Sequence, residues 1–159
     1  MAERWFLKID GIEGDSTDVD HENEIDVHSW SWGVTQSGLS SGSGGGAGKA
    51  SFEEFHFVSR ISKASPALFL ACASGSHIQS ATLTGLRGAG KGRNAEFLKV
   101  TMEDVLISSF SPDDSEDDEA MQSVSLTYGR FEMEFRPSST GAPQPSVTAG
   151  WDIKLNKKI

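Results

Sequence analysis

The sequence predicts a mainly β fold, in which the strands close into a small barrel or a rolled sandwich and one short helix packs on the sheet. Three observations support this prediction. About seven or eight segments alternate apolar and polar residues with a period of two, which is typical of half-buried strands. Only residues 65–75 have helical spacing. Several strands also change the parity of their apolar residues partway along, and such bends let a sheet curl onto itself.

The composition limits both the fold and the possible partners. A chain of 159 residues is long enough to bury a core, so we expect a single domain over residues 1–159. The net charge of −9 and the isoelectric point near 4.8 argue against nucleic acid or acidic membranes as partners, because these require concentrated Lys and Arg. The one cysteine, Cys72, cannot form an internal disulfide, which indicates folding in a reducing compartment.

The beginning of the chain does not resemble a secretion signal. The first ten residues include Glu3 and lack a long apolar stretch, so we expect no Sec-type signal peptide. The longest uninterrupted apolar run, residues 67–73, is too short to span a bilayer. We therefore expect folding in the cytoplasm, and any export must use a route other than general secretion.

Residues 25–36, with the sequence IDVHSWSWGVTQ, form the clearest predicted strand. Alternation gives this strand one large apolar face, formed by Trp30, Trp32 and Val34. The other face is small and polar and includes Ser29 and Ser31. We expect the tryptophans to lie in the core, because each can bury a large apolar area.

Parity changes predict bends at three places. Ile25 and Val27 have the opposite parity to the tryptophans, so an extra residue, a β-bulge, is expected near His28 and Ser29. A long strand over residues 96–110 changes parity near residues 103–104. The third change coincides with Gly129, a residue that suits a bulge.

The remaining strands are shorter and are separated by turn residues. They are predicted at residues 4–10, 51–58, 81–86, 124–128, 131–135 and 151–155. Residues 85–91 match the phosphate-loop pattern GxxxxGK, but Gly92 replaces the Ser or Thr that would bind magnesium, and a strand follows instead of a helix. We attribute the match to chance in a glycine-rich chain.

The predicted helix has recognisable ends. Ser65 is placed to cap it, Pro66 suits the first helical position, and Gly75 can end it in a left-handed conformation. A stripe formed by Leu68 and Cys72, with Phe69 and Ala73 beside it, is expected to pack on the sheet.

Two acidic segments are expected to be solvated loops. Residues 13–24 contain six carboxylates and His21, but they lack the central glycine and closing glutamate of a calcium loop. Residues 112–119 form a charge run that is typical of an exposed hairpin tip.

Residues 37–51 form the longest glycine- and serine-rich stretch of the chain. Its composition is that of a flexible linker, but the preceding 36 residues are too few for an independent domain. The alternative is an arm that becomes ordered against a neighbouring subunit. The candidate assembly residues are Ser37, Gly38, Leu39, Gly44, Gly45, Gly46, Gly48 and Lys49.

Seven segments, in order over essentially the whole chain, resemble the haemolysin-coregulated protein (Hcp) family of bacterial type VI secretion. They are FLKIDGIEGDST, EIDVHSWSWGVTQSG, the loop ending GAGK, KASPALFLACASGSHIQSATLT, EFLKVTMEDVLISSFS, MQSVSL and GWDIKLNKK. The resemblance implies a closed β-barrel of two sheets with one short α-helix packed on its side. It also implies a homohexameric ring, whose stacked copies form a tube that carries effectors in its lumen.

The same resemblance implies partners and a route of export. The partners would be other copies of this chain, the spike protein, the contractile sheath and the effectors, and the tube would leave the cytoplasm through the type VI apparatus. We expect Ser29 and Ser31 to face the lumen. We also expect the acidic loops to meet basic residues of the adjoining ring, either Arg87, Lys91 and Arg93 or the C-terminal lysines.

No catalytic pattern is recognisable in the sequence. The four histidines are scattered, and neither GxSxG nor HExxH occurs, so we expect no enzyme, cofactor or metal site. Two other functions remain open, since they share the fold. The chain could be the tail-tube protein of a phage-like contractile particle, or a free ring that acts as an effector chaperone.

Overall fold

A computed structural model describes residues 3–37, 49–88, 94–114, 119–137 and 144–159. Within these ranges the chain forms eleven strands and one helix. In chain order they are β1 (Arg4–Ile9), β2 (Ile25–Ser31), β3 (Val34–Gln36), β4 (Ala50–Phe52), β5 (Phe55–Arg60), α1 (Ser65–Ser74), β6 (Ile78–Gly88), β7 (Asn94–Asp113), β8 (Met121–Thr127), β9 (Arg130–Phe135), β10 (Val147–Asp152) and β11 (Lys157–Lys158).

Six strands close into an antiparallel barrel in the order β7, β6, β1, β2, β5 and β8, and pairing between β8 and β7 completes the circle. Strands β9, β10 and β11 extend the sheet outward from β7, while β3 and β4 form a separate two-stranded ribbon. The helix packs against β7. The predicted mainly β barrel with one helix is therefore confirmed.

Strand β7 belongs to two parts of the sheet because it bends at Asp104. Its first half pairs with β9 as far as Glu103, and its second half pairs with β8 from Leu106 onward. Asp104 has a φ of 55°, a left-handed conformation that Asp tolerates better than most residues. Gly129, between β8 and β9, donates its N–H to the carbonyl of Glu103 at 2.8 Å. The bend predicted near residues 103–104 is confirmed, and Gly129 marks a break between strands and not a bulge within one.

Apolar and polar residues alternate along each barrel strand, and the apolar side chains point into the barrel interior. Its fully buried members include Leu7 on β1, Phe55 and Phe57 on β5, and Leu83 on β6. Burial of each such side chain stabilises the fold by roughly 1.5–3 kcal/mol. The core therefore needs no disulfide or metal to hold it together.

The strand predicted at residues 25–36, which contains Trp30 and Trp32, has the predicted bulge but is shorter than predicted. The pairing of β2 with β5 shifts between Val27 and Ser29, which confirms the bulge. The strand ends at Ser31, however, and Val34 on β3 is 47% exposed. Among the described strands β3 pairs with β4 alone and lies outside the barrel sheet, so the prediction that Val34 shares the buried face was wrong.

Two other sequence-based strands also differ from the structure. The segment predicted as one strand at residues 51–58 is divided between β4 and β5. At the C-terminus, β10 ends at Asp152, the chain turns through Asn156 at a φ of 53°, and Leu155 is 63% exposed. A turn there leaves no strand face on which Leu155 could be buried.

The helix begins one residue earlier than a Ser65 cap would require. Its N-cap is Ala64, and the Ser65 hydroxyl instead donates a hydrogen bond to Oε1 of the buried Gln122 at 2.6 Å. Gly75 ends the helix at a φ of 64°, as predicted. The buried stripe contains Leu68 and Ala71, whereas Phe69 is 59% exposed and meets the sheet through the ring of Phe110 on β7, at a centroid distance of 6.5 Å.

The acidic loop between β1 and β2 is more ordered than a solvated loop. Its carboxylates at Glu13 and Asp15 are exposed as predicted, but His21 is buried and stacks flat on Phe6, with ring centroids 4.8 Å apart. Nδ1 of His21 lies 3.0 Å from a carboxylate oxygen of Glu24. The loop therefore covers an apolar side chain on the outer surface of β1.

Candidate assembly and cargo surfaces

The outer face of β2 carries the two serines selected from the sequence. Ser29 and Ser31 are exposed, whereas Trp30 and Trp32 on the opposite side pack against the core. Trp30 lies opposite the buried Phe57 of β5, which fixes this orientation. The structure therefore places both serines on the outer surface of the barrel.

Strand pairing extends this polar face across three further strands. Residues that lie directly opposite each other on neighbouring strands point to the same face of a sheet. Ser31 pairs with His56, which pairs with Ser125, which pairs with Ser109. A parallel row links Ser29, Val58, Ser123 and Ser111. We call these eight residues the serine wall.

The serine wall is uncharged at neutral pH apart from any proton bound by His56. This is unusual for a chain with a net charge of −9. The charged groups on the same strands lie at its margins, and Arg60 and Glu119 there form an exposed ion pair at 3.1 Å. A neutral, hydroxyl-rich surface can form hydrogen bonds with many partners without attracting or repelling them strongly.

Most of this wall was not predicted from the sequence. Ser29 and Ser31 were expected on an outer face, but the serines of β7 and β8 were not. A signal was present, because Ser109 and Ser111, like Ser123 and Ser125, alternate with apolar residues. Only the pairing of β2 with β5, β5 with β8 and β8 with β7 shows that these pairs share one surface.

The glycine-rich arm leaves the barrel through the ribbon of β3 and β4. Gln36 pairs with Ala50 at the far end of this ribbon, next to the exposed Ser37 and Lys49. The other candidate assembly residues, Gly38, Leu39, Gly44, Gly45, Gly46 and Gly48, lie outside the described residues. The ribbon shows where the arm starts and ends on the barrel.

The root of this ribbon is fixed to the barrel by one tyrosine. The hydroxyl of Tyr128 donates a hydrogen bond to the backbone carbonyl of Glu53 at 2.6 Å, and the Glu53 N–H donates to the Gly33 carbonyl at 2.8 Å. Burial, with a smaller contribution from the Glu53 carboxylate, raises the pKa of Tyr128 to about 12. The hydroxyl therefore remains a donor at physiological pH.

Of the predicted stacking charges, Arg87 is engaged within the chain. Its Nε and Nη2 donate to Oε2 of Glu3 at 3.1 and 3.0 Å, and its guanidinium lies 3.9 Å from the centroid of the Phe97 ring. The side chain is still 51% exposed. Lys91 and Arg93 lie outside the described residues.

The C-terminal lysines differ in their contacts. Nζ of Lys154 donates to Oδ2 of Asp104 at 3.1 Å, while Nε2 of His77 lies 2.9 Å from Oδ1 of the same carboxylate. These two neighbours lower the pKa of Asp104 from its usual value, with the His77 hydrogen bond as the largest cause. Lys157 and Lys158 are exposed on β11.

The described part of the chain contains neither a candidate metal site nor a candidate membrane-spanning helix. No group of three or more His, Cys, Asp or Glu residues is arranged to hold a metal ion there. In the same residues, no helix has the length and apolar character needed to cross a membrane.

Comparison with known proteins gives one consistent result. The model of the family described as "Type VI secretion system effector, Hcp" matches residues 6–135. Protein hcp1 of Pseudomonas aeruginosa is 38% identical over 160 residues, covering 98% of each chain. The crystal structure of Hcp1 from Salmonella typhimurium is 40% identical, covers 100% of both chains and superposes with a TM-score of 0.84. A type VI secretion system effector from Yersinia pestis is 30% identical, with a TM-score of 0.76 and coverage of 93% of this chain and 98% of that one.

Proposed function

Because this chain belongs to the Hcp family of type VI secretion system proteins, we propose that it is a structural tube subunit that assembles into homohexameric rings. The family consists of secreted tube proteins and not of enzymes, and its members leave the cell through the type VI apparatus. In this proposal the rings stack into the expelled inner tube, and their lumen carries effectors. The spike protein and the contractile sheath are the remaining partners.

The observation that carries this proposal is the serine wall. A tube that passes varied cargo needs an inner surface that forms hydrogen bonds but does not hold one sign of charge strongly. The wall spans four adjacent strands, and three of them, β2, β8 and β7, supply its hydroxyl groups. We therefore assign the wall to the lumen, with Ser29 and Ser31 as its contribution from β2.

The arm at residues 37–51 is assigned to contacts between subunits or rings. Its ribbon leaves the barrel sheet and pairs only with itself among the described strands, so the barrel does not need it for closure. Tyr128 holds its root in a fixed position. A glycine-rich segment on a fixed root can reach a neighbour while keeping a defined starting point.

We assign stacking to a head-to-tail contact, in which one face of a ring binds the opposite face of the next. Such a contact always leaves a free face at each end, so rings can be added without limit and form a filament. Acidic loops would meet basic groups such as Lys157 and Lys158 on the next ring. Arg87 is less available for this contact between rings, since its guanidinium already donates two hydrogen bonds to Glu3. Each exposed ion pair is worth only about 0–1 kcal/mol, so many copies around a ring are required.

Electron microscopy of the purified protein tests the proposal directly. Closed rings with a central opening are expected, and at high protein concentration they should stack into filaments that shorten as salt is added. A uniform population of monomers at high concentration contradicts the assignment as a tube subunit. Rings whose stacking does not respond to salt contradict only the electrostatic contact.

A further inference from the structure

We propose that His56 is a binding point for carboxylate groups of cargo and that it binds them more tightly as the pH falls. This inference rests on the proposed function, which makes the serine wall the surface that meets cargo. His56 lies within the wall, paired with Ser31 on one side and with Ser125 on the other. It is the wall's one imidazole among six serines and a valine.

The His56 ring is held in one orientation with one nitrogen available. Its Nδ1 is hydrogen-bonded to Oγ of Ser125 at 3.0 Å, and Ser125 is itself buried. In the described part of the chain, Nε2 of His56 has no hydrogen-bond partner. Unlike Nε2 of His21, which is buried without a partner, it is accessible to solvent. An incoming group can therefore reach Nε2 without displacing a protein contact.

Few charged groups surround His56, and the nearest carboxylate along its own segment is the exposed Glu54 just before β5. On β8, residues 121–127 contain no charged side chain, and the half of β7 that pairs with β8 contains only Asp113, at its end. On the other adjacent elements, the titratable or charged groups are Asp26, His28, Glu54 and Arg60. Arg60 is paired with Glu119, and Asp26 lies beyond the bulge and 4.0 Å from Arg4. No carboxylate belongs to the wall itself.

His56 gives the wall its preference for carboxylates, because a serine hydroxyl both donates and accepts hydrogen bonds and suits many partners. An ionised carboxylate accepts hydrogen bonds only, and the exposed serine hydroxyls beside His56, such as that of Ser31, can also donate one. When the imidazole takes up a proton, Nδ1–H donates to Ser125 and Nε2–H can donate to the ligand. Histidine side chains gain this charge between about pH 8 and pH 5, whereas glutamate stays ionised above roughly pH 5. Acidic polypeptide segments should therefore bind better at lower pH.

A peptide-binding experiment tests this inference on the full chain. The probe is a fluorescently labelled peptide that alternates glutamate and glycine, and the matched control peptide has glutamine in place of glutamate. Fluorescence anisotropy is measured at about pH 6 and about pH 8, a range over which histidine changes charge. We expect the glutamate peptide to bind roughly fivefold more tightly at the lower pH, which corresponds to a single partly exposed ion pair.

Three variants assign the effect to a residue. His56→Gln should abolish the difference between the two pH values, because glutamine remains neutral. His28→Gln and His77→Gln should retain it, since His28 lies at the bulge and His77 contacts Asp104 outside the wall. A pH difference that persists in His56→Gln overturns the inference, as does equal binding of the glutamine peptide. Electron microscopy of the same samples separates the two proposals, because intact rings without pH-dependent binding contradict this inference alone.

Discussion

Trp5 and Gly85 lie opposite each other on β1 and β6, and the indole ring of Trp5 fills the space that a side chain at position 85 would need. A Cβ atom at position 85 would lie 2.8 Å from Cη2 of Trp5. Two neighbouring rings restrict any movement of the indole away from position 85. They are Trp30 and Phe97, which contact it edge-on at centroid distances of 5.0 and 5.4 Å. This aromatic cluster closes one region of the barrel.

Gly85→Ala is therefore expected to destabilise the protein by about 1–3 kcal/mol, the usual effect of overpacking a filled core. Chemical denaturation measures the change. Gly150→Ala is the matched control on another strand, where the nearest atom is 2.9 Å away in the exposed side chain of Ile159, which can move aside. Equal losses in the two variants would show that the effect does not depend on contact with Trp5.

The stability of the protein should fall at alkaline pH through Tyr128. Its folded pKa of about 12 lies above the usual value of 10.0, so the folded state holds this proton more tightly than the unfolded state. The resulting stabilisation is complete below pH 10 and is lost as the pH rises toward 12. Tyr128 is the only tyrosine in the sequence, so near-ultraviolet absorbance follows its ionisation alone.

Tyr128→Phe provides the control for this titration. The variant loses the hydrogen bond to Glu53, which costs about 1 kcal/mol, and its stability should depend less on alkaline pH. Hydrogen exchange at the root of the ribbon should become faster, while the barrel strands remain protected. Titration of Tyr128 near pH 10 would contradict the assignment of a raised pKa to this partly buried side chain.

Asp104 should contribute to stability at neutral pH but not in acid. Hydrogen bonds with His77 and Lys154 lower its folded pKa, so its contribution is present above the unfolded pKa and is lost as the pH falls through the folded value. Asp104→Asn keeps a residue that tolerates the left-handed backbone. The variant should be less stable than the parent at pH 7, and the two should converge in acid. A constant difference in unfolding free energy from neutral to acidic pH would contradict this explanation.

Deletion of residues 42–48 should leave the barrel folded while weakening contacts between rings. The deleted residues lie outside the described ranges, and the ribbon at their base is not part of the barrel sheet. Thermal unfolding should change little, and electron microscopy should show fewer or shorter stacks. Unfolding of the deletion variant would mean that the arm belongs to the scaffold of the domain.

Ser31→Gln should reduce cargo binding without affecting the fold. The substituted side chain remains polar but projects further from the serine wall, so it occupies space in the proposed lumen. Thr148→Gln, on the exposed face of β10, is the control at a strand position outside the wall. Retention of an effector in purified rings is the measurement, and equal retention by the two variants would place cargo elsewhere.

Features that depend on residues close together along the chain can be predicted from the sequence. The alternation of Trp30 and Trp32 with serines, the bulge beside Val27, and the end of the helix at Gly75 each follow from local geometry. Local signals were less reliable for the exact ends of strands. The division of residues 25–36 into β2 and β3 was missed, because the apolar parity continues through Val34.

Which of these faces are covered or brought together depends on contacts between segments that are distant in the chain. His21 is buried because the acidic loop returns across Phe6, and Phe69 stays mostly exposed although its ring meets Phe110 of β7. The serine wall arises in the same way, since Ser31 and Ser109 belong to one surface only through the pairing of four strands. A periodic pattern fixes the direction of a side chain within its own strand, but pairing between distant segments determines what that side chain faces.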